Sequence, residues 1–221
     1  MKPVAVILSG CGRADGSEIH ESVFTLLALS RLQKAFCIYA PDRQQARVVN
    51  HRTGETNQEN RNVLDEAARI ARGNILPLSE LHIEDISAII LPGGQGVSQN
   101  LWNYQKDGIR GAVNPDIEKA LTSAMHAHIP LGFICIAPVL GARIAQIAGK
   151  RVTLTIGMDP ETAADIEALG CRHQKSEVHE CVIDTKNRVV STAAYMSART
   201  IAECNSGIEA LVNAVCEMAE Q

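Results

Sequence analysis

The sequence lacks a long apolar run, an excess of basic residues and the Cys-x-x-Cys pairs of a zinc ribbon. No apolar run approaches the roughly 20 residues of a membrane-spanning helix, so no membrane partner is expected. Lysine and arginine total 21 against 25 aspartates and glutamates, a net charge of −4. This balance excludes a dedicated nucleic-acid binder, because neutralising phosphates requires a basic surface.

The seven cysteines include no Cys-x-x-Cys pair, which argues against a zinc ribbon or a thioredoxin-like motif. No metal site is expected, and no cofactor is expected either. The apolar run at residues 4–8 is short and ends in Gly-Cys-Gly, which indicates a strand rather than a signal sequence. Scattered thiols without a signal sequence are typical of a reducing compartment, so we expect a cytoplasmic protein.

The 221 residues, 46% of them hydrophobic, predict one domain spanning 1–221. Short apolar runs alternate with helical patterns, which predicts an α/β fold with a parallel sheet covered by helices on both faces. Strands are predicted at 4–9, 36–40, 86–91, 131–136 and 152–155, and helices near 18–34, 61–72, 115–128, 138–148 and 160–169. A hairpin at 181–193 and a final helix near 196–218 complete the prediction.

The polar stretch at 41–62 is long for a loop inside a compact domain. Two interpretations have equal weight. It forms a rim or lid over a site, or it is a solvated excursion with a hairpin around Thr53-Gly54.

The segment around Cys135 gives the strongest chemical signal. An apolar strand runs into this cysteine and a helical pattern begins almost at once, with Pro138 suited to the first helical turn. Such a strand–turn–helix presents a nucleophile on a strained backbone, and the N–H groups of the helix stabilise a thiolate. The alternative is an inert core thiol at the end of a strand, and spacing alone does not separate the two.

Two further loops also follow predicted strands. Leu91-Pro92-Gly93-Gly94 supplies backbone amides that could form an oxyanion hole, although a plain tight turn has the same pattern. In the other loop, Gly12 precedes a helix start that Ser17 is expected to cap. Glu18 and Glu21 share a face of that helix, and one of them could serve only the helix dipole. A parallel sheet would bring all three loops to one edge.

These motifs together closely resemble the ElbB family, also called isoprenoid biosynthesis proteins with an amidotransferase-like domain, within the class I glutamine-amidotransferase-like superfamily. The resemblance covers residues 4 to about 215 and rests on these segments: Gly-Cys-Gly at 10–12, Asp-Gly-Ser-Glu-Ile-His-Glu at 15–21, His-Arg-Thr-Gly-Glu at 51–55, Leu-Pro-Gly-Gly at 91–94, Cys-Ile-Ala-Pro at 135–138 and Arg-Val-Val-Ser-Thr-Ala-Ala-Tyr-Met at 188–196. It implies a flavodoxin-like three-layer sandwich with a mostly parallel sheet and the cysteine on a nucleophile elbow. It also implies a glyoxalase-type activity without glutathione, from glyoxal to glycolate or from methylglyoxal to lactate.

Carried over by position, the resemblance makes Cys135 the nucleophile and Glu21 the carboxylate paired with it. Many superfamily members have a histidine after the strand that follows the elbow helix, but residues 152–157 contain none. His20 is the nearest substitute as a proton carrier. The expected oxyanion and substrate-binding residues are Gly93, Gly94, Ile136, Gly12 and Glu18.

The expected partners are a small aldehyde substrate and a second copy of the chain in a homodimer. Two other functions remain open. One is a redox-sensing or stress-response binding protein with a reactive cysteine and little turnover. The other is a noncatalytic helper of isoprenoid biosynthesis, although the Asp-rich motif that would hold Mg²⁺ on a diphosphate is absent.

Overall fold

A seven-stranded sheet forms the middle layer of the protein in a computed structural model, which describes residues 2–221. The strands in chain order are β1 (Val4–Ile7), β2 (Phe36–Ala40), β3 (Val48–Val49), β4 (Thr56–Asn57), β5 (Leu76–Pro77), β6 (Ala88–Leu91), β7 (Leu131–Ile134), β8 (Thr153–Leu154), β9 (Arg172–His173), β10 (Val182–Asp184) and β11 (Val189–Thr192). The α-helices are α1 (Ile19–Arg31), α2 (Val63–Ala71), α3 (Tyr104–Asp107), α4 (Pro115–His126), α5 (Ala137–Ile147), α6 (Pro160–Ala168) and α7 (Ile201–Ala219).

The strand order of the central sheet is β10-β11-β7-β6-β1-β2-β5. Every neighbouring pair is parallel except β10 with β11, which form the predicted hairpin. The prediction of a flavodoxin-like sandwich with a mostly parallel sheet is therefore confirmed. Because the strands are parallel, the loops after β1, β6, β7 and β11 leave the same edge of the sheet.

Helices cover both faces of the sheet because its strands are apolar on both sides. Along β1, Val4 and Val6 pack into one core with α1, α2 and α7, whereas Ala5 and Ile7 pack into a second core with α4, α5 and α6. This alternation follows from the two-residue period of a strand, in which successive side chains point to opposite faces. None of the helices described between residues 2 and 221 has the length and apolarity that a membrane crossing requires.

The second half of the chain departs from prediction in two places. The predicted strand at 152–155 is not part of the central sheet, because β8 pairs with β9 in a separate two-stranded sheet. The final helix starts at Ile201 rather than near 196, since Thr200 and Glu203 form a capping box there. Residues 194–196 form a short 3₁₀ turn instead.

The segment 41–62 contains the hairpin predicted around Thr53-Gly54. Strands β3 and β4 pair antiparallel, with Val49 opposite Thr56. The His51 ring lies over the loop after β1, where its Nε2 accepts a hydrogen bond from the Ala14 N–H at 3.1 Å. The hairpin thus packs against the loop that leads into α1.

Candidate active site

Cys135 directly follows β7 and is separated from the start of α5 by Ile136 alone. Its backbone has a φ of 62°, and its N–H donates to the Thr192 carbonyl at 2.9 Å. A positive φ is rare for a side chain with a Cβ and is held by its surroundings, so the predicted backbone strain is present. Pro138 lies in the first turn of α5, as expected.

The glycine pair after β6 lies against this cysteine. A Cβ on Gly93 would lie 2.5 Å from the Cys135 Cβ and 2.7 Å from Glu21 Oε2. Gly94 has a φ of 97°, and a Cβ there would lie 2.4 Å from the Glu18 backbone nitrogen. Neither position has space for a larger residue, so the two glycines bring the backbone against the thiol.

Two backbone amides, those of Gly94 and Ile136, lower the pKa of the Cys135 thiol and so oppose the effect of burial. Amides arranged in this way stabilise negative charge on the sulfur or on an oxygen bound beside it.

Glu21 lies in the first turn of α1 and is completely buried. Its Oε2 accepts from the Gly93 N–H at 2.9 Å, and its Oε1 accepts from the Tyr195 N–H at 3.3 Å. The same Oε2 and the Cys135 Cβ both lie next to Gly93, at 2.7 Å and 2.5 Å from the point where a Cβ on that residue would be. The fold thus pairs a buried acid with a buried thiol.

The cap of α1 differs from prediction. Glu18, not Ser17, is the N-cap residue, and its Oε2 accepts from the Glu21 N–H at 2.8 Å. The Ser17 hydroxyl instead accepts from the Ser9 N–H at 2.8 Å and so stabilises the loop after β1. Glu18 therefore orients the backbone of Glu21 while its own carboxylate is occupied by the helix start.

Burial raises the pKa of Glu21 from 4.5 to about 7, and the negative charge of Glu18 adds to the rise. The hydrogen bond to Cys135 and the amides of Tyr195 and Gly93 oppose this rise. Burial and the neighbouring Glu21 also raise the pKa of the Cys135 thiol well above its usual value. We expected the start of α5 to lower that pKa. In the folded protein, loss of hydration and the nearby acid outweigh the amides.

The structure does not join His20 to the thiol. His20 is exposed, its Nδ1 lies 2.7 Å from the Tyr195 hydroxyl, and no hydrogen bond to Cys135 is present between residues 2 and 221. Gly12 also lies elsewhere than expected. A Cβ on it would lie 2.4 Å from His51 Nε2, so this glycine accommodates the hairpin.

Sequence reasoning missed Tyr195, which touches both Glu21 and His20. It follows Ala194, which has a φ of 41° just after β11. This turn directs the Tyr195 N–H to Glu21 while the phenol bonds to His20. The motif Ser-Thr-Ala-Ala-Tyr-Met contributed to the family resemblance, but no spacing rule assigned it a contact.

Within residues 2–221, no three histidine, cysteine or acidic side chains are grouped to hold a metal ion.

The chain resembles proteins of known sequence along nearly its whole length, although no protein-family model matches it. It is 41% identical to human glutamine amidotransferase-like class 1 domain-containing protein 3, mitochondrial, over 97% of this chain and 82% of that protein. It is 34% identical to the zebrafish ES1 protein, mitochondrial, over 87% and 76% of the two chains.

The chain belongs to the glutamine amidotransferase-like class 1 family of the ES1 proteins. A solved structure agrees with this family membership. The isoprenoid biosynthesis protein with amidotransferase-like domain from Ehrlichia chaffeensis is 32% identical, with a TM-score of 0.91 over 97% of this chain and 99% of that one. DJ-1beta of Drosophila melanogaster, at 18% identity and a TM-score of 0.55, shares the fold over 100% and 97% of the chains.

Proposed function

We propose that this family member is a glutathione-independent glyoxalase that converts small dicarbonyls to hydroxy acids, glyoxal to glycolate and methylglyoxal to lactate. The observation that carries the proposal is the close approach of the buried Glu21 carboxyl and Cys135, which both lie against Gly93, beside the amides of Gly94 and Ile136. An acid with a pKa of about 7 can give and take a proton at neutral pH, which an isomerisation requires.

In the first step, the Cys135 sulfur adds to the aldehyde carbon and the thiol proton reaches the carbonyl oxygen, giving a hemithioacetal. The amides of Gly94 and Ile136 stabilise the oxygen as it gains charge. The ionised Glu21 then removes the proton from the former aldehyde carbon, which gives an enediolate with the negative charge on the neighbouring oxygen. Glu21 returns this proton to the neighbouring carbon, and the hydroxyl proton on the first carbon passes to the neighbouring oxygen. The product is a thioester of a 2-hydroxy acid.

Water hydrolyses that thioester, so the acid leaves and the Cys135 thiol is regenerated. The net reaction adds one water molecule to the dicarbonyl, and one carbon is oxidised while its neighbour is reduced. No external oxidant, reductant or cofactor is consumed. In this proposal His20 hydrogen-bonds to Tyr195 rather than acting on the sulfur, and Glu18 holds Glu21 in place.

A redox sensor is the competing function, and the thiol's electrostatics do not favour it. Redox-sensing cysteines have a low pKa and are solvent-accessible, whereas Cys135 is 8% exposed and its pKa is raised. Sensing requires only a reactive and accessible thiol, whereas moving a proton between carbons requires the paired acid as well.

The experiment is to incubate purified protein with glyoxal, without metal or glutathione, and to follow glycolate by NMR. Wild type should form glycolate catalytically and Cys135→Ser should form none. Cys181→Ser, which removes a half-buried thiol at the start of the hairpin, is the matched control and should retain activity. Wild type that fails to exceed the Cys135→Ser background would refute the glyoxalase proposal.

Four broader assignments belong to the same proposal. They are membership of the ElbB group within the family, a single functional domain over 1–221, a cytoplasmic location and a homodimer. The human and zebrafish relatives are named as mitochondrial proteins, so localisation needs a direct test by fractionation.

An exposed apolar stripe on α1, formed by Ile19, Val23 and Leu27, supports the homodimer. Val23→Asp should then shift the light-scattering mass to that of one chain.

A further inference from the structure

The turn after β11 contacts both members of the proposed catalytic pair. The Thr192 carbonyl at its start accepts a hydrogen bond from the Cys135 N–H at 2.9 Å. At its other end, the Tyr195 N–H donates to Glu21 Oε1 at 3.3 Å. The segment 192–195 is therefore bonded to the backbone of the thiol residue and to the side chain of the acid. Its conformation affects how these two groups are placed relative to each other.

This segment is strained at Ala194, where φ is 41° and the side chain is completely buried. A positive φ is unfavourable for alanine and persists only where the surrounding contacts hold it. Two of these contacts lie within the turn, where the Ala193 carbonyl accepts from the Met196 N–H and the Ala194 carbonyl from the Ser197 N–H. Because both bonds are local, they do not attach the turn to α1. An attachment to that helix has to come from a side chain.

The phenol of Tyr195 supplies this attachment. Its hydroxyl lies 2.7 Å from His20 Nδ1, and the two ring centroids are 5.9 Å apart. His20 directly precedes Glu21 on α1. One tyrosine is therefore bonded to consecutive residues of the same helix, through its phenol to an exposed histidine and through its amide to the buried acid.

We propose that Tyr195 is a positioning residue for Glu21. The hydrogen bond between its phenol and His20 holds the strained turn against α1, and the turn held in this way keeps the Tyr195 N–H on Glu21 Oε1. Tyr195 acts through Glu21 rather than on the substrate. Its role in turnover rests on the glyoxalase proposal, whereas its effect on the Glu21 proton does not.

The consequence concerns the protonation of Glu21. The Tyr195 amide lowers the pKa of this carboxyl, against the effects of burial and of Glu18. Loss of the attachment should raise the pKa further, because the ionised carboxylate loses a donor. The other titratable groups facing Glu21 are Glu18 on α1, Cys135 before α5 and Cys204 on α7. Removing the phenol hydroxyl changes none of these groups.

The test is a pH titration of the Glu21 carboxyl by NMR in the full-length protein, with the signal assigned by its loss in Glu21→Gln. Tyr195→Phe should raise the midpoint by about one pH unit, because losing a hydrogen bond to a charged group changes proton affinity about tenfold. His20→Phe retains a ring and should cause the same rise. The double variant should rise no further than either single variant, because both remove the same bond.

Tyr104→Phe is the matched control. It also loses a phenol hydrogen bond, to Asp165, but Tyr104 packs against the core on the opposite face of the sheet from Tyr195. Its Glu21 midpoint should equal that of wild type.

Glyoxal turnover gives a second measurement. With a pKa of about 7, about half of Glu21 is ionised at pH 7, and a rise of one pH unit lowers this share to about a tenth. Tyr195→Phe should therefore turn over about fivefold more slowly at pH 7 and regain the wild-type rate at alkaline pH. A loss of folded protein would not be recovered by raising the pH.

Three outcomes would overturn the inference. They are an unchanged Glu21 midpoint in Tyr195→Phe, an equal shift in Tyr104→Phe, and a shift in the double variant that equals the sum of the two single shifts. The expected shifts in a protein that does not turn over glyoxal would support this inference and refute the glyoxalase proposal alone.

Discussion

Replacing Glu21 with glutamine should change how the stability of the protein depends on pH. The pKa of this fully buried carboxyl rises from 4.5 to about 7 on folding. Each tenfold change in proton affinity corresponds to about 1.4 kcal/mol, so the rise corresponds to about 3 kcal/mol. Glutamine has nearly the same shape and does not titrate, so the variant lacks this contribution.

The sign follows from which state holds the proton. Below pH 4.5 the group is protonated in both folded and unfolded chains, and its ionisation costs nothing. Between pH 4.5 and about 7 the unfolded chain ionises first, which favours unfolding. Above about pH 7 the full cost is present. The wild-type free energy of unfolding should therefore fall by about 3 kcal/mol more than that of Glu21→Gln between pH 4.5 and 8.

The assay is urea unfolding at several pH values, followed by circular dichroism. The comparison uses the change with pH in each protein, because glutamine also weakens one amide contact by an amount that does not vary with pH. Glu217→Gln on the exposed side of α7 is the control for losing a charge and should follow wild type. Parallel curves for wild type and Glu21→Gln would refute the reasoning that Glu21 is held buried at a cost.

Three further substitutions test the packing around the site and the fold. Gly93→Ala should slow glyoxal turnover at least about 100-fold, because the added Cβ would lie 2.5 Å from the Cys135 Cβ and would displace the cysteine. Steady-state rates equal to those of wild type would contradict this prediction. Asn114→Ala should lower the free energy of unfolding by about 1 kcal/mol, since this side chain caps two amides of α4; urea curves identical to wild type would contradict that. Trp102→Phe should lower the free energy of unfolding by about 1–3 kcal/mol, because the fully buried indole N–H donates to the Gly111 carbonyl at 2.8 Å. An unchanged free energy of unfolding, measured by calorimetry, would show that this hydrogen bond contributes nothing.

The alternation of apolar runs and helical patterns was enough to predict the layered fold. Strands β1, β2, β6 and β7 are buried on both faces, so their sequences are continuously apolar and easily identified. The run at 152–155, in which valine and leucine alternate with two threonines, also contains a strand, but that strand pairs outside the main sheet. Pairing partners are set by tertiary contacts, which a local pattern does not contain.

The site was predictable where a motif has a backbone cause. Cys135 follows a strand at the turn into a helix, and Gly93 follows a strand where a Cβ would collide with Cys135; both are in the site. Tyr195 was missed because its contribution is a backbone N–H directed by a strained Ala194, which the residue type does not reveal. The direction of the Cys135 pKa shift was also missed, because burial depends on the packing of the whole fold.

The most direct test of the central claim is to compare Glu21→Gln with wild type in two readouts from the same protein sample. Glutamine keeps a hydrogen-bond donor beside the sulfur but cannot transfer a proton. The account predicts that glycolate formation from glyoxal nearly disappears while Cys135 is still alkylated by iodoacetamide. Glyoxal turnover by Glu21→Gln at the wild-type rate would contradict it, because the paired acid would then have no part in the chemistry.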